Sequence, residues 1–451
     1  MDRTTDMTKG NPFKLILTFA FPLILTNLGQ HLYMIVDASI VGRGVGVKAL
    51  AAVGSADWSY WLILWSVCGL TQAFATFVSR YFGDKNYYDM NKTIAMSTVL
   101  SIIIGIIFTI AGLVSTRPLL NLLKTPSDII NDANIYLFTM IAGTLIVTAY
   151  NMASSILRAF GDGKSPLYAM IIAALLNVGL DLLFVIVFKL SVFGAALASV
   201  ISQFVSFVYC LYQMRKIQYI KIEKEMWKPD YKLIKELLFF GIPLALEFIV
   251  IALGGIILQS TINLQGSTFV AGYTAVNKTY GLLEGTAISL GTAFSTFMAQ
   301  NYGAGNIARV KQGLRTGIQL SIISSIIIAV TLLPTGKYIL KLFININETG
   351  GIEALEIAWR YMFIMLVLLP ILYLIHIYRN ALQSIGISVW SMISGIAEFI
   401  VRVGMGKFLI IWLGVDTLYY IEPAAWIGAL IFVIFPYYFY HNKLLKYKSA
   451  I

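Results

Sequence analysis

Twelve stretches of this chain are apolar over the roughly 20 residues a helix needs to cross the hydrocarbon core of a bilayer. They run over 13–41, 50–78, 93–116, 133–157, 166–188, 191–212, 233–262, 269–298, 316–334, 354–378, 388–412 and 419–440, and are numbered here as spans 1 to 12. Backbone groups inside a bilayer must be satisfied within the protein, and no alternating strand pattern competes for a barrel. The fold class expected is therefore an all-α integral membrane protein. Only 12% of the residues are charged, which excludes a soluble enzyme. The net charge of +11 comes from short loops between apolar runs, so it reports membrane orientation and predicts no nucleic-acid partner. With both termini cytoplasmic, 22 basic residues fall in inside segments against 7 outside, counting Arg379 as an inside loop residue. The expectation is a multi-pass protein of the cell membrane, embedded as a monomer. Cys68 and Cys210 lie in apolar runs, so no disulfide framework is expected, and no cleavable leader is recognisable.

The chain repeats itself at an offset of about 220 residues. FAFPLIL at Phe19–Leu25 matches FGIPLAL at Phe240–Leu246, and TFVSRYFGDKN at Thr76–Asn86 matches TFMAQNYGAGN at Thr296–Asn306. An even number of spans per copy gives both copies the same orientation, related by a pseudo-twofold axis along the membrane normal. The domains expected are an N-terminal six-helix lobe over 1–214, a basic cytoplasmic linker over 215–235, and a C-terminal six-helix lobe with a short basic tail over 236–451. Such duplication favours a transporter whose two bundles rock around a central cavity.

Ionisable groups inside spans are costly, about 3 kcal/mol for Asp at a helix centre, so each is a candidate for function. The first half holds His31 and Asp37 in span 1, Asp57 in span 2 and Asp181 in span 5. The second half holds Glu247, Lys278, Glu284, Arg360, His376, Glu398 and Arg402. At 1.5 Å per residue, Asp37, Asp181 and Ser199 of span 6 all lie roughly 7 to 12 Å below the outer boundary, at one level. Asn177 shares the face of Asp181 one turn deeper, and GAALAS at Gly194–Ser199 permits close approach of span 6. Two carboxylates, an amide and a hydroxyl form an all-oxygen set suited to Na+; the same acids can instead share a proton. Pro22 in span 1 and its repeat partner Pro243 in span 7 each remove a helical hydrogen bond and mark candidate hinges.

In the second half, Glu398 and Arg402 are spaced i, i+4, the spacing of an internal ion pair. Glu247 and Glu284 are candidates either for substrate contact or for pairing with Lys278 or Arg360. Asp57 sits in the aromatic run DWSYWLILW, read either as cavity lining or, for Trp58 and Trp61, as interfacial belt. Gly163-Lys164-Ser165 lacks the first glycine of a phosphate loop, since that place is Arg158.

The stretch from Pro22 to Gly54, together with MAQNYGAGN at Met298–Asn306, resembles the multidrug and toxic compound extrusion (MATE) family, in particular its prokaryotic DNA-damage-inducible-like branch. The resemblance covers essentially the whole chain. It implies a cation-coupled antiporter that exports amphipathic, cationic drugs or toxins by alternating access. It also implies a cation site, for Na+ or H+, made by Asp37, Asn177, Asp181 and Ser199; the family's common residue at the last place is Thr. Other members use a Glu of span 7 at the position of Ile251, with Glu247 one turn earlier in this chain. Asp57, Glu247, Glu284, Glu398 and Arg402 remain candidates for substrate contact or a second-lobe site. No cofactor is expected beyond the coupling ion. The alternatives are a flippase for a lipid-linked sugar precursor, which calls for a more cationic cavity, and an intramembrane aspartyl hydrolase using Asp37 and Asp181, which calls for a dyad about 3 Å apart.

Overall fold

The computed structural model describes residues 3–123, 125–348 and 350–448. Lys124 and the side chains of Trp58, Lys443, Lys446 and Lys448, which entered the charge and belt readings above, fall outside what it describes. The first half comprises α1 (Pro12–Gly44), α2 (Val47–Gly83), α3 (Tyr87–Leu122), α4 (Ile130–Ala142), α5 (Thr144–Ala159), α6 (Lys164–Asp181) and α7 (Ser191–Met214). The second comprises α8 (Tyr231–Asn263), α9 (Ser267–Gly303), α10 (Ile307–Leu340), α11 (Gly351–Val367), α12 (Leu369–Ser384), α13 (Val389–Val403), α14 (Ile410–Leu413) and α15 (Ile421–Lys448). α3 and α10 exceed the predicted spans by more than a turn at each end, because a helix need not stop where the hydrocarbon does. Among the described residues, nine helices are long and apolar enough to cross a membrane, and the α4–α5 pair, bent by 46°, makes a tenth. Span 8 is α9, and span 11 is the run from α13 to α14, where a π-helical segment, Gly404–Leu409, parts two helices of 15 and 4 residues.

Two compact units divide the chain. The first holds the residues up to Met7 and Phe21–Ala245, the second Thr8–Ala20 and the chain from Leu246 onward. The divisions fall inside α1, just before Pro22, and inside α8, just after Pro243, although both helices run unbroken through their prolines. The basic stretch 215–235 belongs to the first unit. Its backbone is clamped by the Asn91 side chain, which donates to the Tyr219 carbonyl at 2.9 Å and accepts from the Lys221 amide at 2.9 Å. The Lys92 ammonium pairs with Asp230 and holds that carboxyl below its usual range.

The repeated turn shows how local chemistry ends and restarts a helix. After α2, Asn86 caps α3 by accepting from the Asp89 amide; after α9, Asn306 caps α10 from the Arg309 amide. The residue before each cap adopts a left-handed conformation, at φ 57° for Lys85 and 70° for Gly305. A side chain in that region costs roughly 1 kcal/mol that glycine does not incur. Lys85→Gly is therefore expected to stabilise the protein by up to about 1 kcal/mol, read as a rise in the thermal unfolding midpoint in detergent; a fall would refute the strain.

The first unit has two buried layers. One joins α2, α3, α5 and the start of α8 through Phe74, Met90, Ile156 and Leu237. The other joins α2, α4 and α7 through Ala52, Leu137, Ile141 and Ala196. In the second unit α9 packs against α10, α11 and α12, and α13 packs against α15.

Candidate functional site

Asp37 stands on α1, Asn177 and Asp181 on the last turns of α6, and Ser199 on α7. Asn177, Asp181 and Ser199 are buried, and Asp37 is half-buried. In the amide orientation that matches donors to acceptors, Asn177 Nδ2 donates to Asp181 Oδ2 at 2.9 Å. Its Oδ1 then accepts from Ser199 Oγ at 3.3 Å and from the Ser199 amide at 3.2 Å. The carboxyls of Asp37 and Asp181 lie within side-chain hydrogen-bonding range of each other. The structure thus brings together all four side chains of the predicted N-lobe set.

Local structure explains the meeting. A π-helical segment, Leu182–Val187, begins directly after Asp181 and widens the helix there. Gly194 lets α7 lie against that segment, since a Cβ on it would sit 3.0 Å from Phe184 Cβ and 3.2 Å from the Phe184 carbonyl carbon. The sequence reading missed Tyr33. It precedes Asp37 by one helical turn on the same face of α1, which was the available signal. Its hydroxyl is a hydrogen-bond partner of Ser199 and interacts electrostatically with Asp37, Asp181 and Asp57. Asp57 is half-buried and interacts with Tyr33, Tyr60 and Tyr136.

Oδ1 of Asp37 and Oδ1 of Asp181 are both buried with no hydrogen-bond partner among the described residues. Two bare carboxylates about 4 Å apart repel by about 4 kcal/mol at an effective dielectric of 20. A positive species between them, either a shared proton or a cation, removes that cost and satisfies the orphaned oxygens. Among the described residues no group of three or more His, Cys, Asp or Glu side chains is placed to hold a metal ion. Two carboxylates, an amide and a hydroxyl fit a single hard cation better than a transition metal.

The second unit answers the same positions differently. Glu398 and Arg402 stand where the repeat has Asn177 and Asp181, and a π-helical segment, Gly404–Leu409, again follows. The predicted pair is present, with Arg402 NH1 3.4 Å from Glu398 Oε2, but it is part of a chain of charges. Arg379 contacts Glu247 at 3.2 Å and Glu398 at 2.7 Å, and Arg402 contacts Glu422 at 2.8 Å. Gly395 lets α13 approach the Glu247 backbone, with its Cβ position 3.3 Å from the carbonyl oxygen.

Two readings are corrected. Arg379, counted as a loop residue, is 5% exposed within α12, because that helix continues to Ser384 beyond the predicted end of span 10. The partners proposed for Glu247 and Glu284 are also different. Glu247 pairs with Arg379, Glu284 hydrogen-bonds Tyr280, Arg360 binds Asp416 through two contacts of 2.9 and 3.0 Å, and Lys278 pairs with no carboxylate among the described residues. Glu422 was overlooked. It sits near the start of span 12, where a boundary of uncertain position hides a buried acid. The carbonyl of Ile251, the position of the family's span 7 Glu, accepts from Arg402 at 3.4 Å.

The family model described as MatE matches residues 22–183 and 243–406, one segment in each half of the repeat. The chain is 30% identical over 357 residues to "Probable multidrug resistance protein YpnP" of Bacillus subtilis (strain 168), covering 78% of this chain and 79% of that protein. It is 29% identical over 371 residues to "Probable multidrug resistance protein YoeA" of the same organism, covering 80% and 79%. In fold it is similar to a solved structure described as the outward-facing conformation of a multidrug resistance MATE family transporter of the MOP superfamily. The TM-score is 0.90 at 22% identity, covering 98% of this chain and 99% of that one.

Proposed function

Because the chain belongs to the MatE family, with matches spanning both halves of its repeat, we propose that it is a multidrug efflux transporter of the cell membrane that exports amphipathic compounds in exchange for Na+ or H+. The names of the relatives support export of drugs. The observation that carries the coupling is the meeting of Asp37 and Asp181, from different helices, with Asn177 and Ser199 completing an oxygen-lined pocket.

A positive ion or proton held there lowers the cost of keeping α1 against α6 and α7, so occupancy biases the shape of α1; only such a difference in affinity between two shapes can drive a transport cycle. One charge moving through 100 mV supplies about 2.3 kcal/mol. The roles of the other residues follow from position. Asn177 and Ser199 hold Asp181 in place, and Tyr33 ties α1 to Ser199. Transport needs no chemical bond to be broken, and an enzyme is not the reading proposed.

Purified protein in liposomes, loaded with ethidium and given either a Na+ gradient or a proton gradient, tests the proposal. Efflux driven by one gradient and not the other names the ion; no efflux under either refutes the reading. Pro22 lies fifteen residues before Asp37 on the same helix. Its ring removes one backbone bond, which makes bending there easier. Pro22→Ala is expected to slow efflux severalfold while leaving cation affinity within about twofold; unchanged turnover would remove the hinge.

A further inference from the structure

The basic linker that follows α7 has a defined course within the first unit. Ile220 and Ile222 pack on the buried layer of Phe82 and Met90, while Tyr219, Lys221 and Glu223 line a cavity of about 500 Å³. This alternation is that of an extended chain, which turns successive side chains to opposite sides. Gln218 and, from the first turn of α3, Tyr87 and Tyr88 share the lining. The Tyr87 and Tyr219 rings stack at 4.9 Å with their planes 20° apart, and Phe82 meets Tyr219 edge-on at 5.5 Å. With Asn91 holding the Tyr219 carbonyl and the Lys221 amide, the aromatic wall is set before any ligand arrives.

Two opposite charges share this cavity without neutralising each other. Among the described residues neither Lys221 nor Glu223 has an ion-pair partner. The linker's other acids do, since Glu225 lies 3.9 Å from Lys228 and Asp230 pairs with Lys92. Asp6 of the N-terminal segment interacts electrostatically with Tyr87 and adds negative charge beside the aromatic wall. A purely anionic ligand would meet Glu223 and Asp6, and a purely cationic one would leave Lys221 unmatched. A ligand carrying both charges suits both side chains. Depth identifies its source. Tyr88 lies five residues, and Asn91 two, before the expected start of span 3, roughly 8 and 3 Å outside the hydrocarbon. That is the headgroup layer, about 5 to 8 Å thick on each side of a bilayer. Trp227 and Tyr231, both exposed and shortly before span 7, are aromatic residues of the kind that sit in that layer.

We propose that this cavity is a binding site for the phosphoethanolamine headgroup of a membrane phospholipid, with Lys221 meeting the phosphate and Glu223 the ammonium. Lysine suits the first role, because its ammonium on a flexible stem takes a phosphate as a point charge. The headgroup ammonium carries three N–H donors for the carboxylate and the tyrosine hydroxyls, and a tyrosine face attracts it further. A trimethylated headgroup has no such donors, and a glycerol headgroup has no positive charge. A lipid bound here joins the linker to α3 by contacts additional to those of Asn91.

Native mass spectrometry of the full chain in detergent, titrated in turn with dioleoyl phosphatidylethanolamine, phosphatidylglycerol and phosphatidylcholine, tests the site. Wild type is expected to hold a single phosphatidylethanolamine about fivefold more tightly than either other lipid. Lys221→Gln and Glu223→Gln should each weaken it about tenfold, the loss of one charge-assisted contact, and Glu223→Gln should turn the preference toward phosphatidylglycerol. Both side chains are exposed, so folding is undisturbed, and the ratio of two lipids on one protein sample reads the site directly. Equal retention of the three lipids by wild type overturns the assignment, as does tighter binding of phosphatidylglycerol or an ethanolamine preference unchanged in both variants. Glycerophosphoethanolamine, a headgroup without tails, separates a lipid from a soluble ligand. It should displace the lipid only at about a hundredfold higher concentration; displacement at equal concentration overturns the lipid assignment. Binding is read without transport, so failure of the efflux reading leaves this site standing, and the reverse.

Discussion

Asp37→Asn is expected to lower ion-driven efflux at least tenfold under whichever gradient drives the wild-type protein. Asparagine keeps the size of the side chain and its place on α1, so packing is nearly preserved. What changes is charge. With Asp37 neutral, Asp181 has only the amide of Asn177 and one uncompensated negative charge, and the repulsion that a bound ion would relieve is gone. Each tenfold loss in the affinity difference between two shapes removes about 1.4 kcal/mol of drive. A binding measurement separates this from misfolding. If Na+ is the ion, wild-type protein at a concentration one hundred times Kd gains about 2.7 kcal/mol of stability, and Asp37→Asn should lose most of that thermal shift while unfolding near the wild-type temperature without Na+. If H+ is the ion, binding of ethidium should release a proton from wild type and none from Asp37→Asn. Efflux by Asp37→Asn at the wild-type rate would show that the pocket is structural.

How much of this was legible beforehand depended on the range of the interactions. Asn177 and Asp181 are one turn apart on one helix, and helical depth alone put Asp37 and Ser199 at their level, so four side chains from three helices were grouped without coordinates. Tyr33 was equally readable by the same i, i+4 rule and was passed over because a tyrosine carries no charge. The second unit was different. Arg379 lay one residue past a predicted span end and Glu422 near the start of another, where boundaries are least certain. Their partners come from α8 and α13, which no local spacing relates to α12 or α15. Glu247 and Glu284 were therefore left as candidates either for substrate contact or for pairing with Lys278 or Arg360. The correspondence of Glu398 and Arg402 with Asn177 and Asp181 was present in the repeat offset; the two π-helical segments that follow them make it visible in space.

That correspondence leads to the largest stability effect expected in the molecule. Removing Arg379, by Arg379→Met, takes from Glu247 its basic partner and leaves Glu398 with Arg402 alone, both carboxylates being 4% exposed. It also frees the Ser394 hydroxyl, which accepts from Arg379 at 2.8 and 3.0 Å. Breaking a buried pair in this way costs about 3 to 5 kcal/mol, because the remaining charge has neither water nor partner. For a domain of this size that corresponds to a drop of about 10 °C in the unfolding midpoint. Replacing the charges together is a different matter, since buried ion pairs exchanged for neutral groups of similar volume are often neutral in stability. Arg379→Met combined with Glu247→Gln and Glu398→Gln should therefore recover at least half of the loss, and the cycle of single and combined variants measures the coupling directly. An Arg379→Met protein that unfolds at the wild-type temperature would mean that the cluster is not held by its charges. A triple variant that is stable yet still exports ethidium would show further that these acids serve the lobe's architecture and not its cargo.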